Sequence, residues 1–167
     1  MDEIVNRVAN SGLLTINLED YYDQTEIADF DMKNHLFQGL ILREKDFRDF
    51  VKNNDWEQYR DKHVALFCSA DAIVPTWAYM LVANRLSPIA KSVFFGNKMQ
   101  LQQNSMNQKI NQIDINEYKD QRVVIKGCSK FEVPVGAYVA ITERLSTVAK
   151  SIMYGEPCST VPIFKRS

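Results

Sequence analysis

The sequence lacks the features that mark membrane proteins, nucleic-acid-binding proteins and disulfide-rich secreted proteins. None of its 167 residues belongs to a run that approaches the ~20 consecutive apolar residues of a membrane span. Lysine and arginine total 20 against 21 acidic residues, so the net charge of −1 gives no basic excess for binding nucleic acid. The start, Met1-Asp2-Glu3, lacks the basic and apolar regions of a signal peptide. We therefore expect a cytoplasmic protein, whose three cysteines are thiols or metal ligands rather than disulfides.

The most informative feature present is an internal repeat. Residues 59–96 align without a gap with residues 118–155, and 14 positions are identical. Unrelated segments of this length would share roughly two or three identities. The repeated residues of the first copy, each recurring 59 positions later, are Tyr59, Asp61, Val64, Val74, Pro75, Ala78, Tyr79, Arg85, Leu86, Ser87, Ala90, Lys91, Ser92 and Gly96.

Each copy of the repeat has the pattern of a strand, a helix and a second strand. In the first copy, residues 63–67 and 90–95 predict strands, and a helix is predicted from Pro75 to Leu86. The second copy repeats the pattern over 122–126, 134–145 and 149–154. Such units are right-handed crossovers that join parallel strands. We therefore predict a single α/β domain over 1–167, with helices packed on one parallel or mixed sheet.

The segments outside the repeat are less regular. Within the N-terminal extension, 1–58, residues 13–18 predict a strand and residues 44–52 an amphipathic helix, while 36–42 fits either. The polar segment 99–114 between the copies is too long for an ordinary structureless loop, so some helix is expected there. A final edge strand is predicted over 161–165.

The three cysteines fall near the ends of predicted strands. Cys68 and Cys128 end the first strand of each copy, Cys158 follows the last strand, and Asp71 lies three residues beyond Cys68. Parallel strands would bring all three thiols to the sheet edge at which open α/β sheets bind ligands. Three thiolates and one carboxylate would suit zinc or iron. The alternative is inert packing, because free cysteine often acts as a small buried hydrophobe.

The alignment places the two strand-end cysteines one position apart. Cys68 aligns with Gly127, and Ser69 aligns with Cys128. A one-residue shift within a strand reverses the face to which a side chain points. The convergence of the thiols therefore depends on the loops that follow the strands.

A second candidate centre lies near the C-terminus. Glu156 and Cys158 flank Pro157, which would hold both in a fixed turn. Cys158 could act as a nucleophile with Glu156 nearby, as a thiol-dependent enzyme would require. The alternative is a tight turn before the final strand.

Four segments resemble a bacterial family named domain of unknown function 2480. They are FQGLILREKDFRDFVKNNDWEQY (37–59), CSADAIVPTWAYMLVANRL (68–86), VVIKGCS (123–129) and KSIMYGEPCSTVPIFK (150–165). The resemblance covers nearly the whole chain. The genes of this family often lie near those for iron–sulfur cluster assembly, which implies a link to thiol or metal chemistry.

These patterns lead to one leading hypothesis and two alternatives for function. The leading hypothesis is a metal- or iron–sulfur-related accessory protein, with zinc or iron held by Cys68, Asp71, Cys128 and Cys158. The alternatives are a thiol-dependent enzyme that uses Cys158, with Glu156, and a non-catalytic interaction module with buried cysteines. No nucleic acid or membrane is expected as a partner. The apolar helices could provide a surface for a protein partner or a homodimer.

Overall fold

The computed structural model describes residues 12–127 and 129–167 of the chain. Seven strands and four α-helices occur in these residues. The strands are β1 Leu13–Asn17, β2 Ile27–Asp31, β3 His63–Phe67, β4 Ser92–Phe95, β5 Arg122–Lys126, β6 Ser151–Glu156 and β7 Ser159–Lys165. The helices are α1 Glu44–Asn53, α2 Thr76–Leu86, α3 Lys98–Asn111 and α4 Val135–Ser146.

The described chain forms two compact units, each with its own sheet. Gln24–Leu101 form one unit, and residues up to Asp23 together with Gln102–Ser167 form the other. We call them the central unit and the terminal unit. Their strand orders are β2-β3-β4 and β1-β5-β6-β7. The predicted α/β class is confirmed, although the two copies of the repeat build two sheets rather than one. The assignment of 1–167 to a single domain stays a prediction.

In the central unit, the buried strand β3 pairs in parallel with β2 on one side and β4 on the other. Its Val64 and Leu66 lie in an apolar core with Phe47 of α1. Helix α2 adds Ala78 and Val82, one helical turn apart. Burying Phe47 fully stabilises this packing by about 1.5–3 kcal/mol.

The terminal unit repeats this arrangement around β5. Strands β1 and β6 pair with β5 in parallel, and β7 adds to β6 in antiparallel orientation. Val123 and Ile125 of β5 lie in a core with Ile141 and Leu145 of α4. The terminal unit therefore has one strand, β7, that has no counterpart in the central unit.

Several repeated residues have a positive φ, a backbone conformation that few amino-acid types adopt readily. Asp61 and Asp120 have φ of 59° and 58° in equivalent turns before the central strands. This left-handed conformation is several-fold enriched in Asp and Asn. Gly96 and Gly155 have φ of 144° and 116°, which strains any residue with a Cβ. The repeat is thus retained at positions where the backbone restricts the choice of residue.

The predicted elements are located correctly to within one or two residues at most boundaries. Strand β2 was not predicted from the sequence. The ambiguous segment 36–42 is neither helix nor strand, and it contains an isolated bridge between Phe37 and Ile41. The polar segment after the first repeat forms α3, as expected.

Among the helices that the structure describes, none is both long enough and apolar enough to cross a membrane.

An aromatic cluster in the central unit surrounds His35. Its ring stacks on Phe50 with a centroid distance of 3.9 Å and on Phe30 at 5.1 Å. Burial among these rings lowers the pKa of His35 below its ordinary value of 6.5, although nearby Asp31 acts in the opposite direction. The neutral imidazole is therefore the form that the folded protein favours.

We predict that stability falls as the pH drops below about 6.5, because the unfolded chain then binds a proton that the folded His35 resists. Replacing His35→Phe keeps the stacked ring and removes the titration. The melting temperature of the variant should change less between pH 7.5 and pH 5 than that of the wild type. Equal slopes in thermal melts across this range would contradict the assignment.

Candidate functional site

The loop that follows β3 is held by a carboxylate from the neighbouring strand. Asp31, the last residue of β2, accepts hydrogen bonds from the Ser69 backbone N–H at 2.9 Å and from Ser69 Oγ at 2.5 Å. It also accepts from the Lys33 backbone N–H at 3.0 Å. Partial burial would raise the pKa of Asp31, but these hydrogen bonds outweigh burial and lower it. Asp31 therefore acts as a clamp that positions the residues after Cys68.

Cys68 lies within the same loop, next to the first turn of α2. Its Sγ donates to the Ala70 carbonyl at 3.6 Å, and the thiol is half-buried. Burial raises the pKa of Tyr79, and the nearby Cys68 and Asp31 add to this effect. Asp71 is exposed to solvent. Cys68, Asp31, Ser69 and Tyr79 thus form a polar cluster at the carboxyl edge of the central unit's sheet.

The terminal unit holds its corresponding loop with a different carboxylate. Glu19 accepts hydrogen bonds from Ser129 Oγ at 2.9 Å and from the backbone N–H groups of Lys130 and Phe131 at 2.5 and 2.9 Å. These bonds lower the pKa of Glu19 to about 2. Tyr22 stacks on Phe131 with a centroid distance of 4.6 Å. Both units therefore use an acid from the N-terminal third to fix the loop before the helix.

The absence of a side chain at residue 127 has a steric reason. A Cβ on Gly127 would lie 2.6 Å from Tyr138 Oη, which is closer than Cβ atoms in proteins approach other heavy atoms. The repeat-equivalent Tyr79 has Cys68 as its neighbour instead. A side chain at residue 127 would therefore require the Tyr138 hydroxyl to move. Cys128 itself lies outside the described residues.

Cys158 lies in the two-residue turn that joins β6 to β7. The thiol is exposed, and in residues 12–127 and 129–167 it has no hydrogen-bond partner. Glu156 is paired with Lys126, with 3.5 Å between Oε2 and Nζ. Glu156 and Cys158, the two residues of the second candidate centre, are close in sequence at this turn. The carboxylate of Glu156, however, is paired with Lys126.

The described members of the predicted metal set belong to different units of the structure. Cys68 and Asp71 belong to the central unit, whereas Cys158 belongs to the terminal unit. The premise that one sheet edge carries all the thiols is wrong, because the strands are divided between two sheets. In the part of the chain that is described, no three His, Cys, Asp or Glu side chains are grouped to hold a metal ion. The four-residue set, which includes Cys128, stays a prediction.

A feature that the sequence did not reveal is an apolar groove on the central unit. It runs between α2 and the outer side of β4 and has a volume of about 470 Å³. Met80 and Phe95 on its walls are 66% and 69% exposed. The ring of Tyr79 meets the ring of Phe95 edge-on, with 5.2 Å between the ring centroids. The residues that line the groove are Leu66, Thr76, Tyr79, Met80, Ala83, Val93 and Phe95.

The terminal unit has an equivalent groove of about 390 Å³ between α4 and β6. Tyr138 and Tyr154 form an edge-on aromatic pair here, with 5.7 Å between the ring centroids. This pair corresponds to Tyr79 and Phe95 of the central unit. Here β7 also contributes a wall through Ile163. The repeated Tyr79 and Tyr138 pack against the cores of their units and also line the two equivalent grooves.

The two grooves differ at the sheet edge. Gly96 N–H donates to the Leu66 carbonyl of β3, and backbone groups point alternately to the two sides of a strand. The N–H and C=O groups of Val93 and Phe95 therefore point away from the sheet. Among the described residues, they have no hydrogen-bond partner. The equivalent Ile152 and Tyr154 of β6 pair with β7.

A comparison with family models finds a match over residues 2–166 to the family described as protein of unknown function (DUF2480). The chain belongs to the DUF2480 family. The comparison with curated proteins found no match, and neither did the comparison with solved structures. For this DUF2480 protein, function must therefore be argued from the site itself.

We predict that Glu19→Gln lowers the melting temperature at pH 7 and flattens its dependence on acid pH. A folded pKa of about 2 means that the carboxylate stabilises the fold above about pH 4.5, and that this contribution is lost as the pH falls toward 2. Thermal melts between pH 2.5 and 7 would measure the effect. The matched control is Glu132→Gln, an exposed residue of the same loop. Identical melting curves for the two variants would contradict the clamp.

The metal hypothesis predicts that purified, untagged protein carries close to one equivalent of zinc or iron. Elemental analysis of the wild type and of Cys128→Ser would test it, because loss of one thiolate should reduce both metal content and stability. Metal-free wild-type protein, with unaltered stability in Cys128→Ser, would refute the hypothesis.

Proposed function

We propose that this chain is a non-catalytic interaction module that binds an extended, apolar segment of another polypeptide at the outer edge of β4. The segment would add to the sheet β2-β3-β4 as an antiparallel strand. The observation that carries the proposal is the contrast between two equivalent strands. Strand β6 is covered by β7, whereas the outward groups of β4 have no partner in the described residues.

The protein's own β7 indicates what kind of segment fits such an edge. In the terminal unit, Tyr154 pairs with Val161 of β7, and Ile163 enters the groove beside α4. In the central unit, the groove beside α2 is equivalent to the groove that Ile163 enters. A strand on β4 would place an apolar side chain there in the same way.

The composition of β4 supports an edge that is open to pairing. Exposed edge strands are usually protected by charges or proline, which prevent pairing with other chains. Strand β2 carries Asp29 and Asp31, and β7 carries Pro162 and Lys165. The sequence of β4, Ser-Val-Phe-Phe, has neither protection.

The surroundings of the thiols give less support to catalysis. A nucleophilic cysteine needs a general base within hydrogen-bond reach. The Sγ of Cys158 lacks one among the described residues, and the Sγ of Cys68 donates to a backbone carbonyl. An interaction module requires no activated thiol, so these environments are compatible with it.

The proposal can be tested with a synthetic peptide that copies β7 and its neighbour, residues 159–166 (STVPIFKR). NMR titration of labelled protein should shift the backbone amides of Val93 and Phe95. Replacing Phe95→Lys should weaken binding at least about tenfold, because it places a charge at the wall of the apolar groove.

Leu40→Lys is the matched control, since Leu40 is 63% exposed in the same unit but does not line the groove. This variant should bind the peptide as the wild type does. The proposal would be overturned if 1 mM peptide left the amides of Val93 and Phe95 unshifted. Equal affinities of the wild type and Phe95→Lys would overturn it as well.

A further inference from the structure

We infer that the polypeptide that covers β4 is β4 of a second copy of this chain, so that two central units join in one continuous six-stranded sheet. This inference rests on the proposed function and names its partner. It depends on the open edge, on the groove beside it and on the self-complementarity of the strand.

Strand β4 can pair with itself in antiparallel orientation about a two-fold axis. The outward-facing residues Val93 and Phe95 lie symmetrically on either side of Phe94, whose backbone groups face β3. An axis through Phe94 brings Val93 of one copy opposite Phe95 of the other. Each such pair exchanges two backbone hydrogen bonds, which gives about four across the interface. The arrangement is isologous and closed, so it ends at a dimer.

The side chains and charges are compatible with this register. Val93 opposite Phe95 is a pair of β-branched and aromatic residues, which stabilises antiparallel strands. The strand carries no charge, and the flanking Lys91 would face Asn97 of the second copy. Lys98 would face Ala90 of the second copy. No lysine therefore lies opposite another lysine.

The grooves of the two copies meet in this dimer. Because a two-fold axis perpendicular to a sheet preserves its faces, α2 of both copies lies on the same side. The space between the two helices then becomes one apolar channel, which the exposed Phe95 and Met80 of both copies can fill. Methionine suits such a gap because its side chain is flexible.

Since the edge strand is only four residues long, we expect an interface at or below ~1,200 Å² and a Kd on the order of 10–100 μM.

Sedimentation equilibrium of the full chain between about 5 and 500 μM tests the inference. The wild type should shift from monomer to dimer, whereas Phe95→Lys should raise the dimer Kd at least ~20-fold. Val93→Pro should act similarly, because it removes an outward N–H without removing a bond to β3. Leu40→Lys is the control and should dimerise normally. Excess β7 peptide should convert the dimer to monomer, because both occupy the same edge.

Cross-linking gives a readout of register that does not depend on affinity. Phe94 would face Phe94 of the second copy in a non-hydrogen-bonded pair, with a Cα–Cα distance of about 4.5 Å that permits a disulfide. With the native cysteines replaced by serine, Phe94→Cys should form a disulfide dimer under mild oxidation. Ser92→Cys should not, because the two copies of residue 92 lie about 13 Å apart along the strands.

The outcomes separate this inference from the proposed function. A protein that remains monomeric at 500 μM and forms no Phe94→Cys disulfide overturns the dimer, and binding of the β7 peptide by that monomer leaves the proposed function intact. A dimer that survives both Phe95→Lys and Val93→Pro overturns the inference, because another surface must then join the copies.

Discussion

The constraint on which the rest of the structure depends is the burial of a central parallel strand in each unit. Strands β3 and β5 can bury their apolar residues only if a strand pairs on each side and a helix covers the face. Val64 and Val123 occupy equivalent positions on these strands, and both are fully buried. The repeat supplies the central strand, the helix and one neighbour. The other neighbour comes from the N-terminal third, through β2 and β1. The loop clamps of Asp31 and Glu19 are a consequence, since each lies at or just beyond the end of that added strand.

The division into two sheets also explains the limits of prediction from sequence. Local patterns located the repeat's strands and helices, because burial and helix starts are determined by nearby residues such as Pro75 and Pro134. The partners of β1 and β2 were not predictable in this way. Strand pairing depends on contacts between residues far apart in sequence, such as Leu14 with Val123. Strand β2 itself was missed because Asp29 and Asp31 obscure its apolar pattern.

The candidate site was less predictable than the fold for the same reason. Cysteines attract attention in a sequence because their chemistry is distinctive, whereas Met80 and Phe95 look like ordinary core residues. Only the assembled unit shows that both are exposed beside a strand edge that no described strand pairs with. One sequence signal was available: Tyr79 and Tyr138 are repeated, and each packs against the core of its unit while also lining the groove.

The exposed edge of β4 presents a physical problem that pairing resolves. An uncharged strand edge beside an apolar groove is a site of nonspecific association unless something covers it. In the terminal unit, β7 covers the equivalent edge, and its outer side carries the protective Pro162. Among the described residues no strand covers β4 in this way, and charges like those of β2 would have protected β4 equally well. Their absence is consistent with an edge that pairs, and pairing of β4 with a second β4 would give a closed dimer.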